Sequence, residues 1–550
     1  MSHYRIAVVG RFDQKADCAP WRTYQDLKLA GHAVEMVDAR HCKGLLVDGE
    51  LDRDMLAPFM DVFAPDYVAY RGESAGEILQ ALDDAPAHEG PAPRHFVVDG
   101  YVGRDNFGDE FLFKTICERL RRDYPGCWVS LVGWNPAGSL ARHGVAGLPA
   151  RDKAGINALL NGASALVFMG GILLDYNPQI KSVAGSVDLF LNPTSTVTVQ
   201  TALADLAWLN GVPTVYLGIG AGPLAGPDAQ GMVRLASLTR PRYIARDGET
   251  ERLLLDAGVD GSLVSRGADL AYAADYPAEA VTAGRGLVAR GTGGDAGYVA
   301  WALREHEPYT ERIVEAAARA ADALYEERGL ASVLLAFEPG DAQVNEQVKG
   351  RMQHPEAALL QDTDDFDLTT GIIGGAELVV AMRLHGTIVA AAQGVPAVGL
   401  SYNVKVAEAY RTLGMEKYLL PVDATGEQVT KACRCLLDKH DEACRRVSET
   451  AAHERAAADA AFEEFEAVVD AHEPAPAPQV DYPRSESVDA LRARDAQRKL
   501  KRAQAQLKEG EEAIETERAR SAELQAELDR VKNSRTWRLR SKIRSILHLE

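Results

Sequence analysis

An arginine and a histidine stand two residues apart at the end of a very apolar strand. The segment Ala381-Met-Arg383-Leu-His385-Gly-Thr joins that strand to an Ala-rich helix. Arg383 is a fixed cation with bidentate geometry for a phosphate or carboxylate. His385 is a proton donor or acceptor near neutral pH. The alternative is a structural histidine satisfied beside a helix cap. Downstream, Gly399-Leu-Ser401-Tyr-Asn-Val-Lys405 follows the next strand and adds a hydroxyl and a cation to the same rim. A second constellation, Gly100-Tyr-Val-Gly-Arg-Asp105-Asn106-Phe-Gly108-Asp109-Glu110, follows a strand and opens a helix. Its glycines permit a tight turn, and the free amides at the helix start can hold an anion. Asp105, Asn106, Asp109 and Glu110 bring carboxylates and an amide to a strand end. A plain glycine turn with an acidic N-cap is the equal alternative.

Three further segments follow strands. Arg246, in Ala245-Arg-Asp247, suits an anion, or else pairs locally with its neighbour. Gly170 and Gly171, in Phe168-Met-Gly-Gly, offer backbone to a ligand or form a simple turn. Gly218-Ile-Gly-Ala-Gly222-Pro223 resembles a dinucleotide fingerprint only superficially, because no helix starts inside it and Pro223 breaks the continuation. Positive charge and glycine amides thus collect around one cleft, which suits a small anionic substrate. No Ser/His/Asp triad, Walker loop or zinc signature can be read. Cys433-x-Cys435 lacks a second Cys or His pair, so no metal site is expected.

The elements that must position these residues alternate in type. Strand patterns at Arg5–Val9, Ala33–Val37 and Tyr67–Tyr70, with helices between, predict a small Rossmann-like α/β module over residues 1–85. A Pro/Gly-rich linker follows at 86–94. Strands at His95–Asp99, Trp128–Val132, Ala165–Met169, Thr214–Leu217 and Arg242–Ala245 mark a first Rossmann-like half, 95–280. Strands at Gly286–Ala289, Ser332–Ala336, Glu377–Ala381 and Ala397–Leu400 mark a second, 281–440. This alternation predicts parallel sheets covered by helices on both faces, with ligands at the carboxyl ends of the strands. A helix at 441–471, a Pro-rich linker at 472–484, a heptad-like coiled coil at 485–532 and a basic amphipathic tail at 533–550 complete the expected order.

The chain has 550 residues, 46% of them apolar and 25% charged, which excludes wholesale disorder. Its formal charge is −20, but residues 484–550 hold 17 Lys and Arg against 12 Asp and Glu, a net of +5. The remainder therefore carries −25 and is a poor surface for nucleic acid. Seven cysteines and no signal-peptide pattern point to a reduced, cytoplasmic setting. From Arg530 to Arg544 there are seven Lys and Arg and no acid, with Leu539, Ile543, Ile546 and Leu547 on one helical face. That composition suits peripheral attachment to an anionic membrane on its inner face; an ordinary basic helix end is the alternative.

Taken in order and spacing, the segments at 100–110, 168–171, 245–247, 381–386 and 394–405 resemble the polysaccharide pyruvyl transferase family over about 94–440. The family's usual Asp-Pro-Ala stands here as Asp269-Leu270-Ala271. The tail Asn533-Ser-Arg-Thr-Trp-Arg-Leu is similar to endings that follow coiled coils in bacterial surface-glycan glycosyltransferases. The resemblance implies a two-domain, GT-B-like fold, phosphoenolpyruvate as donor substrate with no other cofactor, and a pyruvate ketal on a sugar of a surface polysaccharide or its lipid-linked precursor. It places Arg383 and His385 in the donor site, and Asp105, Asn106 and Asp109 near the acceptor side or hinge. On this reading Arg383 binds donor phosphate or carboxylate, His385 is an acid or phosphate ligand, and Asp105 or Asp109 is the base. Arg246 and Lys405 are secondary anion contacts; Gly108, Gly170, Gly171 and Ser401 line the substrate. The coiled coil would pair with itself or with another glycan enzyme. A nucleotide-sugar glycosyltransferase and a non-catalytic assembly protein are the rival readings.

Overall fold

The computed structural model describes residues 2–12, 19–173, 196–222, 224, 227–293, 297–476, 520–527, 529–534, 538 and 542. Met1–Pro478 form one compact unit and Gln479–Glu550 another. In the first unit, seven parallel strands lie in the order Gly147–Pro149, Trp128–Gly133, His95–Asp99, Ala165–Leu173, Thr214–Ala221, Arg242–Ala245, Val264–Arg266. The chain builds outward from His95–Asp99 to one edge, then returns beside it and builds to the other. This leaves a switch point between the first and fourth strands, where a crevice opens at their carboxyl ends.

The second sheet repeats the plan. Its order is Ala358–Asp362, Ala331–Ala336, Tyr298–Ala302, Leu378–Ala381, Ala397–Ser401, Leu419–Pro421, and its switch point lies between Tyr298–Ala302 and Leu378–Ala381. The central strands are apolar along their length because helices cover both faces; Leu378, Val379, Val380 and Ala381 are all fully buried. The helix His440–Asp470 returns from the second half to the first. Near its end Phe465 packs on Phe96 at 5.8 Å and Glu464 accepts from the Ser265 hydroxyl at 2.8 Å. The fold is thus the α/β class expected, two Rossmann-like halves in a GT-B-like arrangement.

Two details differ from the sequence pattern. Gly286–Ala289 is not a strand but part of the helix Ala278–Thr292, and the split at 280/281 falls inside that helix. The three apolar side chains Leu287, Val288 and Ala289 fit either period; burial of Ala280, Gly284 and Val288, four apart, settles it as helical. The strand that opens the second half is Tyr298–Ala302, buried throughout. Residues 86–94 are not a free linker either, since His88–Glu89 pairs antiparallel with Ser2–His3.

The leading module is a three-stranded parallel sheet, Ala33–Asp38, Arg5–Gly10, Tyr67–Ala69. It is fastened to the first half by polar contacts. Lys28 Nζ donates to the carbonyls of Ala158 and Leu159 at 3.1 and 3.2 Å. The Ser130 hydroxyl donates to Glu35 at 2.7 Å. Arg40 spans the carboxylates of Asp38 and Asp152 at 2.5 and 2.6 Å, so a guanidinium supplies the positive charge for the Asp38–His41–Asp152 cluster. In the second unit, residues 520–527 and 529–533 are helical and exposed. The rest of the expected coiled coil and most of the basic tail lie outside the described residues.

Candidate functional site

The carboxyl ends of the central strands of both sheets meet, and the helices that follow them deliver the charged groups. Asn106 caps the helix Phe107–Asp123: its side-chain oxygen accepts from the amides of Gly108 at 3.0 Å and Asp109 at 3.3 Å. Its amide nitrogen donates across to Glu338 of the second half at 2.5 Å, and the Phe107 amide donates to the Phe337 carbonyl at 2.8 Å. Glu110 ties the preceding loop down, accepting from the Gly103 amide at 2.7 Å and contacting His143 at 2.7 Å.

His385 sits in the first turn of the helix Leu384–Ala392, whose start carries no side-chain cap. Its first amides are therefore open to an anion. The imidazole lies against Gly108, where an added Cβ would stand 1.9 Å from Nδ1. Three more glycines do the same for other charges. A Cβ on Gly170 (φ +76°) would be 3.0 Å from Asp109 Oδ1, on Gly171 2.9 Å from Lys405 Nζ, and on Gly220 2.7 Å from Arg246 Cζ. Four glycines thus make four surfaces on which His385, Asp109, Lys405 and Arg246 rest.

Asp269 holds the floor. It is 4% exposed, accepts from Arg246 Nη1 at 3.1 Å and from the Ala271 amide at 3.1 Å, and faces His385 Nε2 at 3.7 Å. The last distance is too long for a hydrogen bond, and Nε2 is buried with no partner among the described residues. Burial opposes the Asp269 charge, but His385, Arg246 and the Ala271 amide outweigh it and hold the carboxyl at about 2. Burial pushes Asp109 up to about 6, against the pull of His385, Arg246 and Lys405. Burial and the neighbouring Arg246 bring Lys405 down to about 8, against Asp109 and Asp247. A buried guanidinium and a half-buried ammonium therefore stand beside a carboxyl raised to about 6, which takes up its proton in mild acid. Arg246, Asp269, Tyr272, Leu384 and Lys405 line a narrow cleft with about 30 Å³ open to water.

The structure places some expected residues differently. Arg383 is 7% exposed, and its guanidinium donates to Asp341 at 2.9 and 2.5 Å and to Glu338 at 2.8 Å. Through Nε and Nη2 it clamps the start of the helix Pro339–Arg351. Asp105 (φ +54°) has a side chain 59% exposed, with Arg142 at 3.4 Å, outside the buried cluster. The Ser401 hydroxyl donates to the Asn403 carbonyl at 3.3 Å and shapes the turn before Lys405. Asp269, Gly220, Glu338 and Asp341 were not singled out from the sequence. Asp269 had a signal in its Asp-Leu-Ala segment. Glu338 and Asp341 had one too, as acids directly after the strand Ala331–Ala336.

A family model described as polysaccharide pyruvyl transferase matches residues 106–404. No curated protein matches the chain significantly. Among solved structures, similarity is found to MnaA of S. aureus bound to UDP, at 12% identity and a TM-score of 0.46, covering 70% of this chain and 100% of that one. It is also found to Anabaena HepE in complex with UDP and glucose, at 12% identity and a TM-score of 0.44, covering 69% and 100%. A glycosyltransferase from Rickettsia africae matches at 10% identity and a TM-score of 0.45, covering 69% and 99%.

Proposed function

Because the chain belongs to the polysaccharide pyruvyl transferase family, we propose that it moves pyruvate from phosphoenolpyruvate onto a sugar of a surface polysaccharide or its lipid-linked precursor, as a ketal. The observation that carries this reading is the cluster itself. Two cations, Arg246 and Lys405, and an uncapped helix start stand beside a protonatable carboxyl and an imidazole. That set fits a donor with two anionic groups and a carbon that must be protonated.

The chemistry divides as follows. A proton passes to the methylene carbon of the enol, leaving an oxocarbenium-like C2. A sugar hydroxyl attacks C2 and gives up its proton. The C2–O bond to phosphorus breaks, phosphate leaves with one proton, and a second hydroxyl closes the ketal and releases its own. Asp109, holding its proton to about 6, is assigned as the acid. His385 is assigned as the base, with the Asp269 carboxylate facing its Nε2 at 3.7 Å. Arg246, Lys405 and the amides at Leu384 and His385 take the donor's anionic groups. Arg383 holds Glu338 and through it Asn106, a positioning role.

Incubation with phosphoenolpyruvate and purified surface glycan tests the proposal. Phosphate release matched by pyruvate on the glycan supports it. Turnover of a nucleotide-sugar instead, or full complementation of a deletion strain by His385→Ala, rejects it. Gly108→Ala should lower kcat by about 10²-fold, because the added carbon must displace the imidazole by an ångström or more. A kcat unchanged in that variant argues that His385 does not need its present position.

The tail belongs to the same proposal. Among the described residues no helix is long and apolar enough to cross a membrane. Seven cations between Arg530 and Arg544 suit an anionic leaflet that presents a lipid-linked acceptor. Deleting 530–550 should weaken binding to phosphatidylglycerol vesicles, and added salt should weaken it in the full chain. Unchanged sedimentation with vesicles refutes this role.

A further inference from the structure

Large aromatic side chains in rigid loops are normally covered. Two here are not. Tyr101 is 36% exposed and Trp134 54% exposed. They follow the strands His95–Asp99 and Trp128–Gly133, so both lie at the carboxyl edge of the first sheet, where the crevice opens. Their rings meet edge to face at 5.8 Å. The exposed Arg104 lays its guanidinium over the Trp134 ring at 4.1 Å and reaches Tyr101 at 5.9 Å.

The two loops are locked together. The Trp134 amide donates to the Val102 carbonyl at 2.9 Å. Gly103 lies so close to Asn135 that a Cβ would stand 2.5 Å from its backbone nitrogen. The platform is therefore set before any ligand arrives, which limits the entropy lost on binding. It also borders the reacting groups. Burial raises the Tyr101 phenol, Arg104 opposes this, and the charges of Glu338 and Asp109 add to it. Glu338 is in turn under the charge of Arg304, from the loop after Tyr298–Ala302 in the other half. Arg304 stacks on Tyr402 at 5.0 Å and donates to its hydroxyl at 3.0 Å. A second arginine–aromatic pair thus stands in the other half.

We infer that Tyr101, Arg104 and Trp134 form the acceptor subsite, binding a pyranose ring of the glycan by stacking its C–H face on Trp134. A pyranose presents apolar C–H bonds on its faces and hydroxyls around its rim. An exposed indole takes the first and guanidinium donors take the second. This rests on the glycan acceptor that the family implies and deepens it by naming the side chains that read the sugar.

The test uses the full chain and ligand-observed saturation-transfer NMR with lactose, cellobiose and chitobiose. Ring C–H protons should receive saturation from the wild type. Trp134→Ala should lower the effect about tenfold, and Trp134→Phe should restore part of it. Trp208→Ala should match the wild type; that residue is 60% exposed at the end of the helix Thr196–Leu209, a site with no part in the proposal. In the transfer assay, Trp134→Ala should raise KM for glycan about tenfold and leave KM for phosphoenolpyruvate unchanged. Saturation equal in Trp134→Ala and wild type, or none in the wild type, overturns the inference. Trp134-dependent saturation without phosphate release from phosphoenolpyruvate supports the subsite and rejects the donor reading instead.

Discussion

Asp109→Asn is expected to lower kcat by about 10²–10⁴-fold, the range for removing one positioned proton donor. The side chain loses its proton but not its shape, so binding of phosphoenolpyruvate should change little. The reason lies in the surroundings. Burial holds Asp109 at about 6 even though three positive partners pull it down. Below that value the carboxyl carries the proton that the methylene carbon needs; above it the proton is gone. The wild-type kcat should therefore fall as pH rises through about 6, and Asp109→Asn should erase that limb of the profile. A wild-type rate that instead climbs through pH 6 makes Asp109 the base and reverses the assignment. His385→Gln separates the two groups further, since it should lower kcat while leaving the fall through about 6 in place.

Arg246→Met is expected to cost about 3–5 kcal/mol of stability, the penalty for leaving a buried charge without its partner. Arg246 and Asp269 are 6% and 4% exposed and in contact at 3.1 Å, so little solvent can replace the guanidinium. Urea midpoints measure the loss. The double variant Arg246→Met with Asp269→Asn should recover part of it, because the orphaned charge is then absent. A double variant no more stable than the single would mean that the pair does not carry the effect. Acid should tell the same story. Asp269 sits at about 2, below its ordinary value near 3.8. Its contribution is thus complete above the ordinary value and is lost as pH falls toward about 2. Arg246→Met raises that carboxyl and should shrink this acid-dependent part of the unfolding curve, with His385 and the Ala271 amide keeping the rest.

Much of the scaffold was legible because its signals are local. A strand buried on both faces must be apolar along its length, so Leu378-Val-Val-Ala381 shows itself without any partner. Asn106 and Asp247, each bonded to amides of the turn that follows it, mark helix starts in the same way. The ambiguity at Gly286–Ala289 shows the limit of such signals. Three apolar side chains in a row satisfy two periods at once, and only the surface that Ala280, Gly284 and Val288 cover decides between them.

By itself the sequence determined which segments end strands and therefore which side chains gather at the crevice. His385, Asp109, Arg246 and Lys405 were all placed there, with Gly108, Gly170 and Gly171 beside them. It did not determine what each charge faces. Arg383 and Arg246 look alike in the chain: each is an arginine after an apolar strand and before a helix. Arg383 finds Glu338 and Asp341, some forty residues upstream, and becomes a clamp. Arg246 finds Asp269 and sits on Gly220, beside the reacting carboxyl. Asp105 and Asp109 divide in the same manner, one turned to solvent and Arg142, the other half-buried with its carboxyl raised to about 6. Only the tertiary structure decides these outcomes, because the strength and protonation of a charge depend on burial and on partners from distant segments.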